Sequence, residues 1–163
     1  MSARGGRRRV QIAVAGGNRC TPRVARLARA LGREIAAANA VLVCGGLRGT
    51  MEAVARGAAE AGGTVVGLLP TYAHRDGNRW LDVALPTGLG HARNVLVAAA
   101  GDALVALPGE HGTLSEIAFA RVLGRPVIGL GAWRSVDGVA YARTPADAVR
   151  RALRLARRDR RRY

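Results

Sequence analysis

Two glycine-rich turns, each leaving an apolar strand and entering a helix, carry the residue types suited to hold an anion: Val41-Leu-Val-Cys-Gly-Gly-Leu-Arg-Gly49 and Ala106-Leu-Pro-Gly-Glu-His-Gly-Thr-Leu-Ser-Glu116. Glycine lets the backbone fold closely against a ligand. The helix that follows points unpaired N–H groups and the positive end of its dipole at whatever lies there. In an open α/β sheet both turns fall at the carboxyl ends of strands, where ligands of such sheets collect. The expected chemistry is recognition of a phosphorylated small molecule. Gly45, Gly46, Gly49 and Thr50 are candidates to contact its ribose or phosphate, or alternatively to let strand and helix pack closely.

The elements that must position these turns follow from hydrophobic periodicity. Residues 10–15 form a short apolar run ending at Gly16-Gly17. Thr21 is placed to cap a helix with Pro22 at its first position, and Val24, Leu27, Ala28, Leu31 and Ile35 recur at helical spacing behind it. The pattern then repeats, with strands expected at 40–44, 64–69, 81–85, 102–107 and 126–130 and helices at 50–61, 89–100 and 113–123. An irregular stretch with Trp133 and Gly138 precedes a last helix from Thr144-Pro145 to about residue 157. Strands that alternate with helices and lack period-2 polarity predict a mostly parallel sheet covered on both faces, a Rossmann-like three-layer α/β fold. A single domain over 1–163 is expected, with basic tails at about 1–9 and 158–163.

Composition narrows the function classes. The chain has no lysine, all 26 basic residues being arginine, so there is no lysine to anchor pyridoxal phosphate. The net charge of +15 is concentrated at the ends: Arg4, Arg7, Arg8 and Arg9 at one, and an arginine block from Arg150 onward at the other. Only Tyr163 offers an aromatic ring among those charges, which favours solvated tails over a nucleic-acid partner. The turn Ala15-Gly-Gly-Asn-Arg-Cys-Thr21 lacks the G-x-G-x-x-G spacing, and no acid follows Cys44-Gly45, so NAD(P) is not expected. Cys20 and Cys44 read as small hydrophobes, and His74, His91 and His111 show no metal-ligand spacing. A cytoplasmic protein without membrane spans or a bound metal is the expectation.

From Val41 to Gly131 the chain resembles the Lonely Guy (LOG) family and the neighbouring molybdenum-cofactor carrier proteins. The resemblance rests on Pro86-Thr-Gly-Leu-Gly-His-Ala-Arg-Asn94, Gly112-Thr-Leu-Ser-Glu-Ile-Ala118 and Gly124-Arg-Pro-Val-Ile-Gly-Leu130, which look most like the carrier branch. It implies a homodimer that binds a nucleotide or the molybdenum cofactor. Alternatively, it implies a hydrolase that releases base and ribose 5-phosphate from nucleoside 5′-monophosphates. By motif position Arg93 and Glu116 would be the essential pair in such an enzyme, and Gly109, Gly112 and Thr113 would cradle the phosphate. A guanidinium can clamp phosphate in two-pronged fashion, and a carboxylate can stabilise an oxocarbenium-like centre or orient water.

Some of these residues carry a second reading. Thr113-x-x-Glu116 also has the spacing of a capping box, in which the glutamate merely completes a helix start. His111 lies inside the phosphate turn and is a candidate ligand contact. Glu110 stands where the resemblance leads one to expect a small residue, and Asn94 where LOG-type members carry a basic one. Both lower the positive potential. Glu110 would therefore repel phosphate, or select a ligand group by hydrogen bonding.

Overall fold

The computed structural model describes residues 8–159. Strand β1 (Gln11–Ala15) is followed by helix α1 (Pro22–Ala37), β2 (Val41–Cys44), α2 (Thr50–Glu60) and β3 (Thr64–Leu69). Beyond a 3₁₀ turn at His74–Asp76 comes β4 (Val83–Pro86). A second 3₁₀ turn at Gly90–Arg93 runs directly into α3 (Asn94–Ala100). The chain continues through β5 (Ala103–Ala106), α4 (His111–Val122), β6 (Val127–Leu130), β7 (Val139–Ala142) and α5 (Pro145–Asp159). The strands form one sheet in the order β4-β3-β2-β1-β5-β6-β7, and every neighbouring pair is parallel. This is the Rossmann-like α/β fold that the alternating pattern predicts.

Both faces of the sheet are covered, so successive strand residues enter different cores. Ile12 and Val14 point into the layer beneath α1, α2 and α5, whereas Ala13 and Ala15 point towards α3 and α4. On the first face α1 and α2 approach backbone to backbone. A Cβ added to Gly57 would overlap the carbonyl of Arg29, and one on Gly32 would lie 2.7 Å from the nitrogen of Ala58. Glu60 joins the same two helices, accepting from Arg29 at 2.8 Å and from Arg56 at 2.8 Å. Those guanidinium groups hold its carboxyl down at about 2.

Three features differ from the sequence expectation. Residues 139–142, read as irregular, form edge strand β7; four residues of mixed burial leave little apolar run to detect. The helix expected at 89–100 begins with the tighter 3₁₀ turn, preceded by left-handed Gly88 and containing left-handed Gly90. The expected basic tails are also partly structured, at Arg8, Arg9 and Arg158, while the other arginines of the C-terminal block stand on the last helix as expected. Arg150, Arg151, Arg154, Arg157 and Arg158 stand on α5, whose opposite face buries Ala148, Val149, Ala152 and Ala156. At the other end, Arg8 pairs with buried Asp102 at 2.7 Å, and the same carboxylate accepts from the backbone N–H of Gln11 at 2.8 Å. The rest of the arginine-rich ends, 1–7 and 160–163, lies outside the described residues.

The two tryptophans are held in different ways. Trp80 has the guanidinium carbons of Arg56 and Arg79 at 5.5 and 5.2 Å from its ring centroid. Trp133, in left-handed backbone after β6, donates its indole N–H to the carbonyl of Leu107 at 2.8 Å.

Candidate ligand crevice at the switch point

The strand order reverses at the β1/β5 pair, and the helices after these two strands lie on opposite faces of the sheet. Their connections diverge and leave a crevice, which is where open α/β sheets bind ligands. Its volume is about 530 Å³, within the range of small-molecule sites. One wall is the Gly16–Thr21 loop with Val24, the other is Pro108–Glu110 with Gly112, Thr113 and Glu116, and Leu47, Met51, His91, Arg93 and Asn94 complete it.

Helix α4 begins earlier than expected. Its cap residue is Glu110, whose extended backbone brings no side-chain cap, and the first internal bond runs from the N–H of Leu114 to the carbonyl of Glu110 at 3.0 Å. The N–H groups of His111, Gly112 and Thr113 therefore have no acceptor within the helix. This sets aside the capping-box reading: Thr113 sits in the first turn rather than at the cap, and Glu116 in the second. Gly109 allows the turn to close, since a Cβ there would overlap the Thr113 hydroxyl and lie 3.0 Å from the nitrogen of Gly17.

Arg93 and Glu116 come together in the crevice wall, each only 6% exposed. Arg93 makes no side-chain hydrogen bond or ion pair among the described residues, and its Nε is buried without a partner. Burial pulls its pKa down, partly offset by the charge of Glu116. The Glu116 carboxyl is pushed the other way, up to about 8, because burial outweighs the attraction of Arg93. The crevice wall thus holds a desolvated guanidinium with no hydrogen-bond partner beside a carboxyl whose burial favours the protonated form. Such a site has the electrostatics for an incoming anion and a hydrogen-bond donor next to it.

The other expected residues are distributed unevenly. Gly112, Thr113, Gly109 and Glu110 line the crevice, whereas His111 is exposed on α4 outside its lining. Gly45, Gly46, Gly49 and Thr50 lie behind the wall. Gly45 makes room for the Arg93 guanidinium, Gly46 packs against Leu69 and Leu81, and Gly49 against the Asn18 backbone. Thr50 is buried beneath Gly16, and its N–H donates to the carbonyl of Gly17 at 3.0 Å. Asn94 donates to the hydroxyl of Ser115 at 2.9 Å and to the carbonyl of Gly112 at 3.4 Å, tying α3 to the first turn of α4. Sequence reasoning overlooked the Gly16–Thr21 loop and His91. Gly16-Gly17 was the available signal for the loop, since it follows the first strand just as the other glycine pairs follow theirs. Cys20 lines the crevice, while Cys44 is buried beside it with its thiol pushed up to about 11. No group of three or more potential metal ligands occurs among the described residues, and no helix there is long and apolar enough to cross a membrane.

An all-parallel sheet with a switch-point crevice of this kind defines a Rossmann-like α/β domain. The chain belongs to the SLOG cluster4 family, whose model matches residues 9–155. It is 40% identical over 140 residues to an uncharacterized protein of Archaeoglobus fulgidus, covering 86% of this chain and 92% of that one. Among solved structures it is similar to the molybdenum cofactor binding protein of the phototrophic bacterium Rippkaea orientalis. That likeness has 32% identity and a TM-score of 0.86, over 92% of this chain and 99% of the other. The molybdenum cofactor carrier protein of Chlamydomonas reinhardtii gives 32% identity and a TM-score of 0.80, over 91% and 98% of the two chains. A cytokinin riboside 5′-monophosphate phosphoribohydrolase of Rhodococcoides fascians is 40% identical over 94 residues, which are 55% of this chain and 48% of that enzyme.

Proposed function

We propose that the protein binds a phosphorylated, pterin-like or nucleotide-like ligand in the switch-point crevice, in the manner of a molybdenum-cofactor carrier, and works as a homodimer. The observation that carries this reading is Arg93: a buried guanidinium with no protein partner, facing a crevice onto which the uncapped N-terminus of α4 opens. A ligand phosphate over Gly109–Thr113 would meet the free N–H groups of α4 and the Arg93 charge, and protonated Glu116 would donate to an oxygen or ring nitrogen nearby. The molybdenum cofactor is cargo in this reading. The likeness to carrier proteins extends over almost the whole of both chains, which supports it over the partial likeness to the hydrolase.

Phosphoribohydrolysis is the second reading, and it rests on the pairing of Arg93 with Glu116 in one desolvated wall. There Arg93 would hold the phosphate while Glu116, its protonated form favoured by burial, would donate a proton to the leaving base as the C1′–N bond breaks, and water would add at C1′ and return a proton to Glu116. Melting curves with AMP, adenosine and the molybdenum cofactor test the binding proposal, and release of adenine from AMP tests the second. AMP or the cofactor should raise the melting temperature more than adenosine does, by mass action. Equal shifts for AMP and adenosine, with none for the cofactor, would sink the phosphate site.

A further inference from the structure

A second concavity, of about 670 Å³, lies away from the crevice between the C-terminal end of α1 and the outer face of α5. Its floor includes Ala37, Ala38 and Leu153, and its wall carries Arg154, Arg157 and Arg158. Those three arginines have no hydrogen-bond or ion-pair partner among the described residues. Arg150 completes the row and shares Asp147 with Arg151. Glu34 is the one acid lining the groove. At about 1.5 Å of rise per residue, Arg150 to Arg158 spans roughly 12 Å along the helix.

We infer that this groove is a sequence-independent binding site for the phosphate backbone of nucleic acid, separate from the ligand crevice. A row of exposed cations along one side of a helix matches a polyanion, and with consecutive phosphates of one strand roughly 7 Å apart the row can meet two or three of them. The groove has no aromatic side chain, so it can hold a backbone but cannot stack bases. Its floor is mostly alanine, and the large exposed apolar residues, such as Tyr72, Leu89 and Val122, lie outside its lining. A protein partner would need large apolar anchors there, and lipid insertion would need the α5 face that already packs against the sheet.

The test is binding of a short fluorescein-labelled DNA duplex by the whole 163-residue chain, followed by anisotropy across a salt series. Log affinity should fall linearly with log salt, and R154Q/R157Q/R158Q should weaken binding by about tenfold or more at low salt and reduce the slope by about 2 to 3. R93A, in the crevice, should bind the duplex as wild type does. R154Q alone, in mid-helix, should weaken binding about threefold and keeps the question answerable if the triple variant does not fold. Unchanged affinity and slope in the neutralised variants would overturn the proposal, as would duplex binding too weak to detect at low salt. So would polyglutamate or anionic vesicles binding through these arginines while the duplex does not.

Discussion

The turns after β2 and after β5 look alike in sequence, yet the fold uses them differently. After β5, helix α4 starts without a side-chain cap, and the turn opens onto the crevice. After β2, the first N–H of α2 is taken by the carbonyl of Gly17, and its glycines are filled by Arg93, Leu69, Leu81 and the Asn18 backbone. The difference comes from topology. The helices following β1 and β5 leave on opposite faces, while α1 and α2 share a face and cross almost in backbone contact. A glycine turn opens onto a crevice where neighbouring connections diverge, and becomes a packing device where they run together.

The sharpest probe of the β5 side is the titration of Glu116. Its carboxyl lies at about 8 in the folded chain against an ordinary 4.5, so the folded state binds more protons than the unfolded one between those values. Stability must therefore fall as pH rises from about 4.5 to about 8 and level off beyond, by an amount on the order of a few kcal/mol. Denaturant titrations of wild type and Glu116→Gln across that window measure it. The variant should lose the slope, and a slope that persists would assign it to other groups.

On the packing side, Gly57→Ala drives a methyl into the Arg29 backbone and should cost about 3 kcal/mol of stability. Ligand affinity, measured well below the melting transition, should not change, because the crossing of α1 and α2 does not line the crevice. A variant that folds normally but binds weakly would erase the distinction between the two turns.

Arg93→Ala should cost about 2 to 3 kcal/mol of binding, or roughly 30- to 150-fold in affinity for AMP by calorimetry. Its stability should fall by less than about 1 kcal/mol, since the lost guanidinium leaves no hydrogen-bond partner behind. Parallel losses of affinity and stability would make Arg93 a structural residue. The smallest expected effect is at Glu110, exposed at the crevice mouth. Water screens that charge, so Glu110→Gly should tighten AMP binding about two- to fivefold and leave adenosine unchanged. Weaker binding of both ligands would make Glu110 a selector.

The alternation of elements was legible because a parallel sheet covered on both faces demands unbroken apolar strands such as Ile12–Ala15 and Val41–Cys44, each stopping at glycine. Edge strand β7 was not, for it is half-covered and shows neither a long apolar run nor a clean alternation. Arg93 and Glu116 could be singled out by motif, but their mutual burial needed the crossing of two distant segments. The Thr113–Glu116 spacing makes a cap only for a helix that starts at Thr113, whereas α4 starts at His111. The Gly16–Thr21 wall is signalled only by its Gly16-Gly17 pair, since most of what it offers is backbone set by the β1–α1 connection.

The tether on Trp133 gives the molecule a built-in optical reporter. Its indole is fixed to the carbonyl of Leu107, next to Pro108 in the crevice wall, so a ligand that shifts this turn must alter the indole's hydrogen bond and emission wavelength. Trp80, flanked by two guanidinium groups and outside the crevice lining, supplies a steady background. With Trp80→Phe, occupancy of the crevice can be followed by intrinsic fluorescence, without a label on protein or ligand.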